Sequence, residues 1–189
     1  MDAGGILGFL SGDWLVDRAI TDRRSGQHGV FEGRARFRPA GSGHSLEFTE
    51  DGELQFGCHR GPARRSLRYA ARPDGSADVR FADGRDFYRM DLRGGTCAAD
   101  HPCRADRYHV RVTLLGPDRF AETWQVTGPD KDYEMRTTYR RTAAAAGDGE
   151  AVESATAPKD EAATGPSRRP AAPGRQHVAG RDAAAGRAG

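Results

Sequence analysis

The stretch His101-Pro-Cys-Arg-Ala-Asp-Arg-Tyr108 gathers an imidazole, a thiol, a carboxylate and a phenol into eight residues. Two chemistries fit these groups. His101 and Cys103, with Cys97 upstream and Cys58-His59 on another segment, are the N and S donors that zinc accepts in a tetrahedral set. No Cys-x-x-Cys pair is present and the spacing fits no standard zinc module, so no metal is expected. The second chemistry is acid–base catalysis by His101, Asp106 and Tyr108, with Asp83 and Arg85 as further candidates. A carboxylate beside His101 would orient the ring and raise its pKa, as an isomerase or hydrolase of this kind would need. A structural reading stands beside both: Cys103 packs as a small hydrophobe while His101 and Asp106 tie down a connection.

These groups act only if the surrounding elements turn them toward one space. Strand signals run along the chain. "DWLVDRAIT" places Trp14, Val16 and Ile20 on one face, and "GVFEGRARF" places Phe31, Gly33, Ala35 and Phe37 on one face with Glu32, Arg34 and Arg36 opposite. Period-two alternation of this kind marks strands with one side in water. Further strands are expected in "SLEFTE", "ELQFGCH", "RSLRYAA", "ADVRFA", "RDFYRMDL", "RYHVRVTLL", "RFAETWQV" and "DYEMRTTYRR". Asp-Gly pairs in "EDGE", "RPDGSA" and "ADGRD" predict tight hairpins, as do the Gly-Pro-Asp turns of "LGPDRF" and "TGPDKD". "DLRGGTCAAD" reads as a loop, and "GGILGFLSG" is the only helical candidate. Many short strands joined in antiparallel order predict an all-β meander that curls and closes into a barrel of 8–10 strands.

Alternation also says what such a barrel would hold. Arg18 shares the Trp14 face, Glu122 shares a face with Phe120, Trp124 and Val126, and Tyr133, Met135, Thr137 and Tyr139 share another. Arg18, Tyr88, Glu122, Trp124, Tyr133 and Tyr139 are therefore the candidate ligand-binding residues of an interior polar at a few points and apolar elsewhere. A buried Arg18–Glu122 ion pair inside a filled barrel is the competing expectation, since buried charges need partners.

Composition bounds the rest. The 189 residues carry a net charge of +2, with 30% charged and 37% hydrophobic residues and a mean hydropathy of −0.74. Residues 143–189 contain no Leu, Ile, Met, Phe, Tyr, Trp or Cys, so the expectation is a barrel domain over 1–142 and a disordered Ala/Gly/Pro/Arg-rich tail over 143–189. Near-neutral charge predicts no nucleic-acid partner, and no stretch resembles a membrane span or a secretory leader. A cytoplasmic protein with reduced thiols at Cys58, Cys97 and Cys103 is expected. A small-molecule ligand is the partner these features favour; oligomeric state is open.

Gly12-Asp13-Trp14 on the first strand resembles the Gly-x-Trp opening of lipocalins and other calycin barrels. The resemblance implies that Gly12 and Trp14 close one barrel end and that Arg140 or Arg141, from "TTYRR", packs across the ring. "FLSGDWLVDRAITDRRSGQHGVFEGRARFRP", "FADGRDFYRMDL", "HPCRADRYHVRV", "WQVTGPDKDY" and "TTYRR", in that order, resemble the domain-of-unknown-function family numbered 6314. That resemblance covers roughly Phe9 to Arg141, implies a lipocalin-like barrel and brings no activity. The family pattern has a histidine where this chain has Tyr88, so metal binding or proton transfer by a histidine is not expected there. The chain lacks the Gly-rich continuation of haem-binding barrels, and no cofactor is expected. Three classes remain open: a barrel binding a small apolar or amphipathic molecule, a barrel enzyme, and a structural or partner-binding module.

Overall fold

The computed structural model describes residues 5–41 and 43–142. The expected tail, 143–189, lies outside the described residues. One helix, α1 (Gly5–Leu10), precedes ten strands: β1 (Gly12–Asp22), β2 (His28–Ala40), β3 (Ser45–Phe56), β4 (His59–Ala71), β5 (Ala77–Phe81), β6 (Asp86–Met90), β7 (Thr96–Cys103), β8 (Asp106–Gly116), β9 (Arg119–Thr127) and β10 (Asp132–Arg141). They form one antiparallel sheet in the order β6-β5-β4-β3-β2-β1-β10-β9-β8-β7. Pairing of β1 with both β2 and β10 curls the meander into a nearly closed barrel. Among the described residues no helix is long and apolar enough to cross a membrane.

The inward positions follow the alternation: Trp14, Val16 and Ile20 on β1, and Phe31, Ala35 and Phe37 on β2, are all buried. The outward positions carry Arg–carboxylate pairs such as Arg38–Asp13 and Arg140–Asp17. Such exposed pairs contribute little each, and their main effect is solubility.

Two local expectations are corrected. "EDGE" is no hairpin, because β3 runs straight through Asp51-Gly52 and turns at Gly57-Cys58. Gly52 instead lies opposite Gly33 on β2, and a Cβ on Gly52 would come within 2.6 Å of both Gly33 Cα and Phe31 Cζ. The two glycines leave room for the Phe31 ring, so Gly52 serves close packing rather than turning. The "DLRGGTCAAD" loop ends early, at Gly95, and Thr96–Cys103 is an edge strand. It has few bulky or β-branched residues, which hid it, and its Pro102 is tolerated because an edge strand leaves some N–H positions unpaired.

One barrel end is sealed. Helix α1 buries Ile6, Leu7 and Leu10. Trp14, 0% exposed, donates from Nε1 to Leu10 O at 2.8 Å and meets the Phe120 ring edge-on at 4.9 Å. Gly12 takes a φ of 115°, which lets the chain turn from helix into strand next to the Arg141 side chain. The Arg141 guanidinium stacks 4.2 Å above Trp14, donates to Ser11 O at 2.7 Å and also to Phe9 O and Asp118. Arg140, one residue away, faces outward to Asp17 at 2.9 Å.

Among the described residues the opposite end carries only the short β1–β2, β3–β4, β5–β6, β7–β8 and β9–β10 connections. Inward side chains toward that end keep partial exposure, among them Leu54, Ala63, Phe81, Phe87, Tyr133 and Met135.

Candidate functional site

At mid-depth the barrel carries a charged floor. Arg18 on β1 donates from Nη1 and Nη2 to the two carboxylate oxygens of Glu50 on β3, at 2.9 and 2.7 Å, and from Nε to Thr137 Oγ1 at 2.8 Å. Arg65 on β4 donates from Nη2 to Tyr139 Oη at 3.0 Å and to Glu50 at 3.3 Å. The Tyr139 hydroxyl lies 3.4 Å from Glu50 and 3.3 Å from Glu122 and donates its proton to one of them. Trp124 Nε1 donates to Glu122 at 3.4 Å, and Arg65 Nη2 stands 3.9 Å from the same carboxylate. The expected Arg18–Glu122 pair is thus corrected: Arg18 pairs with Glu50, because β1 and β3 both flank β2 and bring the two side chains together across Phe31 and Ala35.

Glu50 keeps 2% exposure. Burial alone pushes its carboxyl pKa up, but the guanidinium charges of Arg65 and Arg18 overcome that and hold it at about 2. Burial also pushes the phenols of Tyr69, Tyr88 and Tyr139 above their usual range, so all three are hydroxyl donors at ordinary pH.

Above the floor the wall is aromatic. The Phe87 and Trp124 rings stack at 5.0 Å and 7°. Phe81 lies 4.4 Å from Phe87, and Tyr88 meets Trp124 edge-on at 5.5 Å. Neighbouring residues Phe87 and Tyr88 both reach this wall because β6 bulges: Tyr88 pairs with Val79 and Asp86 with Arg80, leaving Phe87 as the extra residue. The wall spans the seam between edge strands β6 and β7, where the sheet has no ladder. His101 of β7 reaches across it to Phe87, ring to ring at 5.0 Å.

The "HPCRADRY" stretch is a hairpin at the open rim. Cys103 pairs with Asp106, and Arg104, with a φ of 56°, makes the reversal. The structure brings Asp106 and Tyr108 together on Lys131, whose Nζ donates to Asp106 at 2.5 Å and to Tyr108 Oη at 3.0 Å. The side-chain bonds from Asp106 and Tyr108 raise the Lys131 pKa, so the ammonium stays charged. His101 contacts Phe81, Phe87 and Tyr108 through its ring and is not joined to the Asp106 carboxylate. Asp83 caps its own hairpin by accepting from Arg85. Among the described residues no group of three or more His, Cys, Asp and Glu side chains could hold a metal ion.

Of the predicted interior residues, Arg18, Glu122, Trp124 and Tyr139 belong to the floor network and Tyr88 packs against Trp124. Tyr133 lies nearer the rim, where burial, followed by the neighbouring Tyr108, pushes its phenol pKa up. The sequence reading missed Glu50, Arg65, Phe87 and Lys131. Glu50 was legible, since Leu46, Phe48 and Glu50 alternate on one face; so was Arg65, two residues before Leu67 and four before Tyr69.

A protein-family model described as "Family of unknown function (DUF6314)" matches residues 10–141. No curated protein matches the chain. Among solved structures, the S-type phycobiliprotein lyase CPES from Guillardia theta is similar with a TM-score of 0.59 at 10% identity, over 76% of this chain and 94% of the lyase. The redesigned β-barrel mFAP1, solved bound to DFHBI, is similar with a TM-score of 0.39 at 15% identity, over 71% of this chain and 97% of its own. At these identities the likeness concerns the fold alone.

Proposed function

For a chain that belongs to the family of unknown function DUF6314, we propose a binding role: the barrel takes up a small apolar or amphipathic molecule through the end opposite Trp14. The observation that carries this reading is the unequal treatment of the two ends. One is closed by α1, Trp14 and Arg141, while at the other Phe81 and Phe87 of the aromatic wall and the side chain of Arg65, a quarter exposed at 24%, retain access to solvent. An apolar lining with a few convergent polar groups is the usual composition of a small-molecule site. A barrel built only for stability would gain from filling that end with apolar side chains, because a buried ionic network stabilises less than well-packed hydrophobes.

Native mass spectrometry of the protein purified from its source cells tests the proposal. A small-molecule adduct at one per chain is expected, and it should be lost when Ala63→Phe fills the inner wall beside Gly52. A chain that carries no adduct and binds none from a cell extract contradicts the role.

A further inference from the structure

The floor is balanced in charge and unbalanced in hydrogen bonds. Arg18 and Arg65 face Glu50 and Glu122, two positive groups against two negative. Arg18 uses Nε, Nη1 and Nη2 on Thr137 and Glu50. Arg65 does not: its bonds leave from Nη2, while its buried Nε has no acceptor among the described residues. The Tyr88 hydroxyl is also buried, on a residue only 7% exposed; it lies beside the Tyr69 hydroxyl, and among the described residues no well-formed hydrogen bond satisfies it. Arg65 and Tyr88 both flank Trp124: Arg65 Nη2 stands 3.9 Å from the Glu122 carboxylate that accepts from Trp124 Nε1, and the Tyr88 ring meets the Trp124 ring edge-on at 5.5 Å. A buried donor without an acceptor costs about 1–3 kcal/mol, so a molecule that supplies one gains on entering.

The charge balance decides what kind of acceptor fits. A carboxylate would add a third negative group beside Glu50 and Glu122, where the surroundings screen poorly. A carbonyl oxygen offers two lone pairs without adding charge. Next to these donors stand Phe87 and Trp124, flat apolar surfaces for the rest of the molecule.

We infer that the interior selects a neutral, carbonyl-bearing apolar molecule, with its oxygen toward Arg65 Nε and Tyr88 Oη and its body against Phe87 and Trp124. This inference rests on the binding role proposed above and narrows it to a ligand class.

Three probes of one shape test it: 2-ethylnaphthalene, 2-acetylnaphthalene and 2-naphthoate, titrated against Trp14→Phe protein so that Trp124 is the sole tryptophan reporter. The acetyl compound should bind about tenfold more tightly than the ethyl compound, and the naphthoate no more tightly than the ethyl compound. Tyr88→Phe should cut the ratio of acetyl to ethyl affinity at least threefold. That variant removes a buried hydroxyl that no well-formed hydrogen bond satisfies among the described residues, so it should unfold at a denaturant concentration no lower than the parent. Equal binding of acetyl and ethyl probes, tightest binding of the naphthoate, or an acetyl preference that survives Tyr88→Phe would overturn the inference and leave the binding role standing. Failure of all three probes to bind would remove the binding role and the inference with it.

Discussion

Arg18 and Glu50 face each other inside the barrel in a two-pronged ion pair, with nitrogen–oxygen distances of 2.9 and 2.7 Å. Glu50 is the point on which both interior guanidiniums converge, since Arg65 also donates to it. Glu50→Gln keeps the shape of the side chain and removes the charge that both arginines need. Breaking a buried pair from one side costs about 3–5 kcal/mol, because the remaining charge stays desolvated. Urea unfolding of the Glu50→Gln variant should show a loss of that size.

The same carboxylate makes stability depend on acidity. Its folded pKa of about 2 lies below the usual 4.5 of an exposed glutamate. A depressed carboxyl stabilises the fold fully above the unfolded value, and the contribution is lost as pH falls from 4.5 through about 2. The gap corresponds to about 3 kcal/mol. Unfolding free energy measured from pH 6 to pH 2 should therefore fall more steeply in the parent than in Glu50→Gln, whose acid limb should be flatter.

At the sealed end, Arg141→Gln removes the stacked cation above Trp14 together with the donors to Phe9 O and Ser11 O. A loss of about 1–3 kcal/mol is expected. The change should also be local: amide hydrogen exchange should quicken first in α1, while β3 and β4 keep their protection. Arg140→Gln, on the outer face, should change stability by less than about 1 kcal/mol.

Glycines separate close packing from ordinary helix preference. Gly52→Ala would drive a Cβ against Gly33 and Phe31 in the wall of the barrel and should cost about 1–3 kcal/mol. Gly8→Ala sits on α1 with no atom within 4 Å of the new Cβ and should be neutral or stabilising by about 0.5–1 kcal/mol. Thermal melts should shift downward for Gly52→Ala and hold or shift upward for Gly8→Ala.

The barrel was legible because alternation is a local signal: Trp14, Val16 and Arg18, or Phe120, Glu122 and Trp124, announce a face within five residues. The partners were not legible, because pairing across strands depends on register. Arg18 was matched to Glu122 by type, whereas the register of β1, β2 and β3 brings it to Glu50, which an Asp-Gly pair had disguised as part of a turn. The grouping of Asp106 and Tyr108 on Lys131 likewise depends on the β8–β9–β10 order, which sets the Gly-Pro-Asp-Lys turn beside the start of β8. Phe87 was hidden by a bulge, which breaks the alternation that a sequence reading follows.

Access to the interior from the end opposite Trp14 is the claim on which the binding role depends, and one titration tests it directly. In Trp14→Phe protein, Trp124 lies at the aromatic wall as the remaining tryptophan, and 2-acetylnaphthalene should quench it saturably at one site per chain. Adding Ala63→Phe should abolish the saturable phase while leaving the circular dichroism of the folded barrel unchanged. Quenching that is linear in probe, and identical with and without Ala63→Phe, would contradict an open interior.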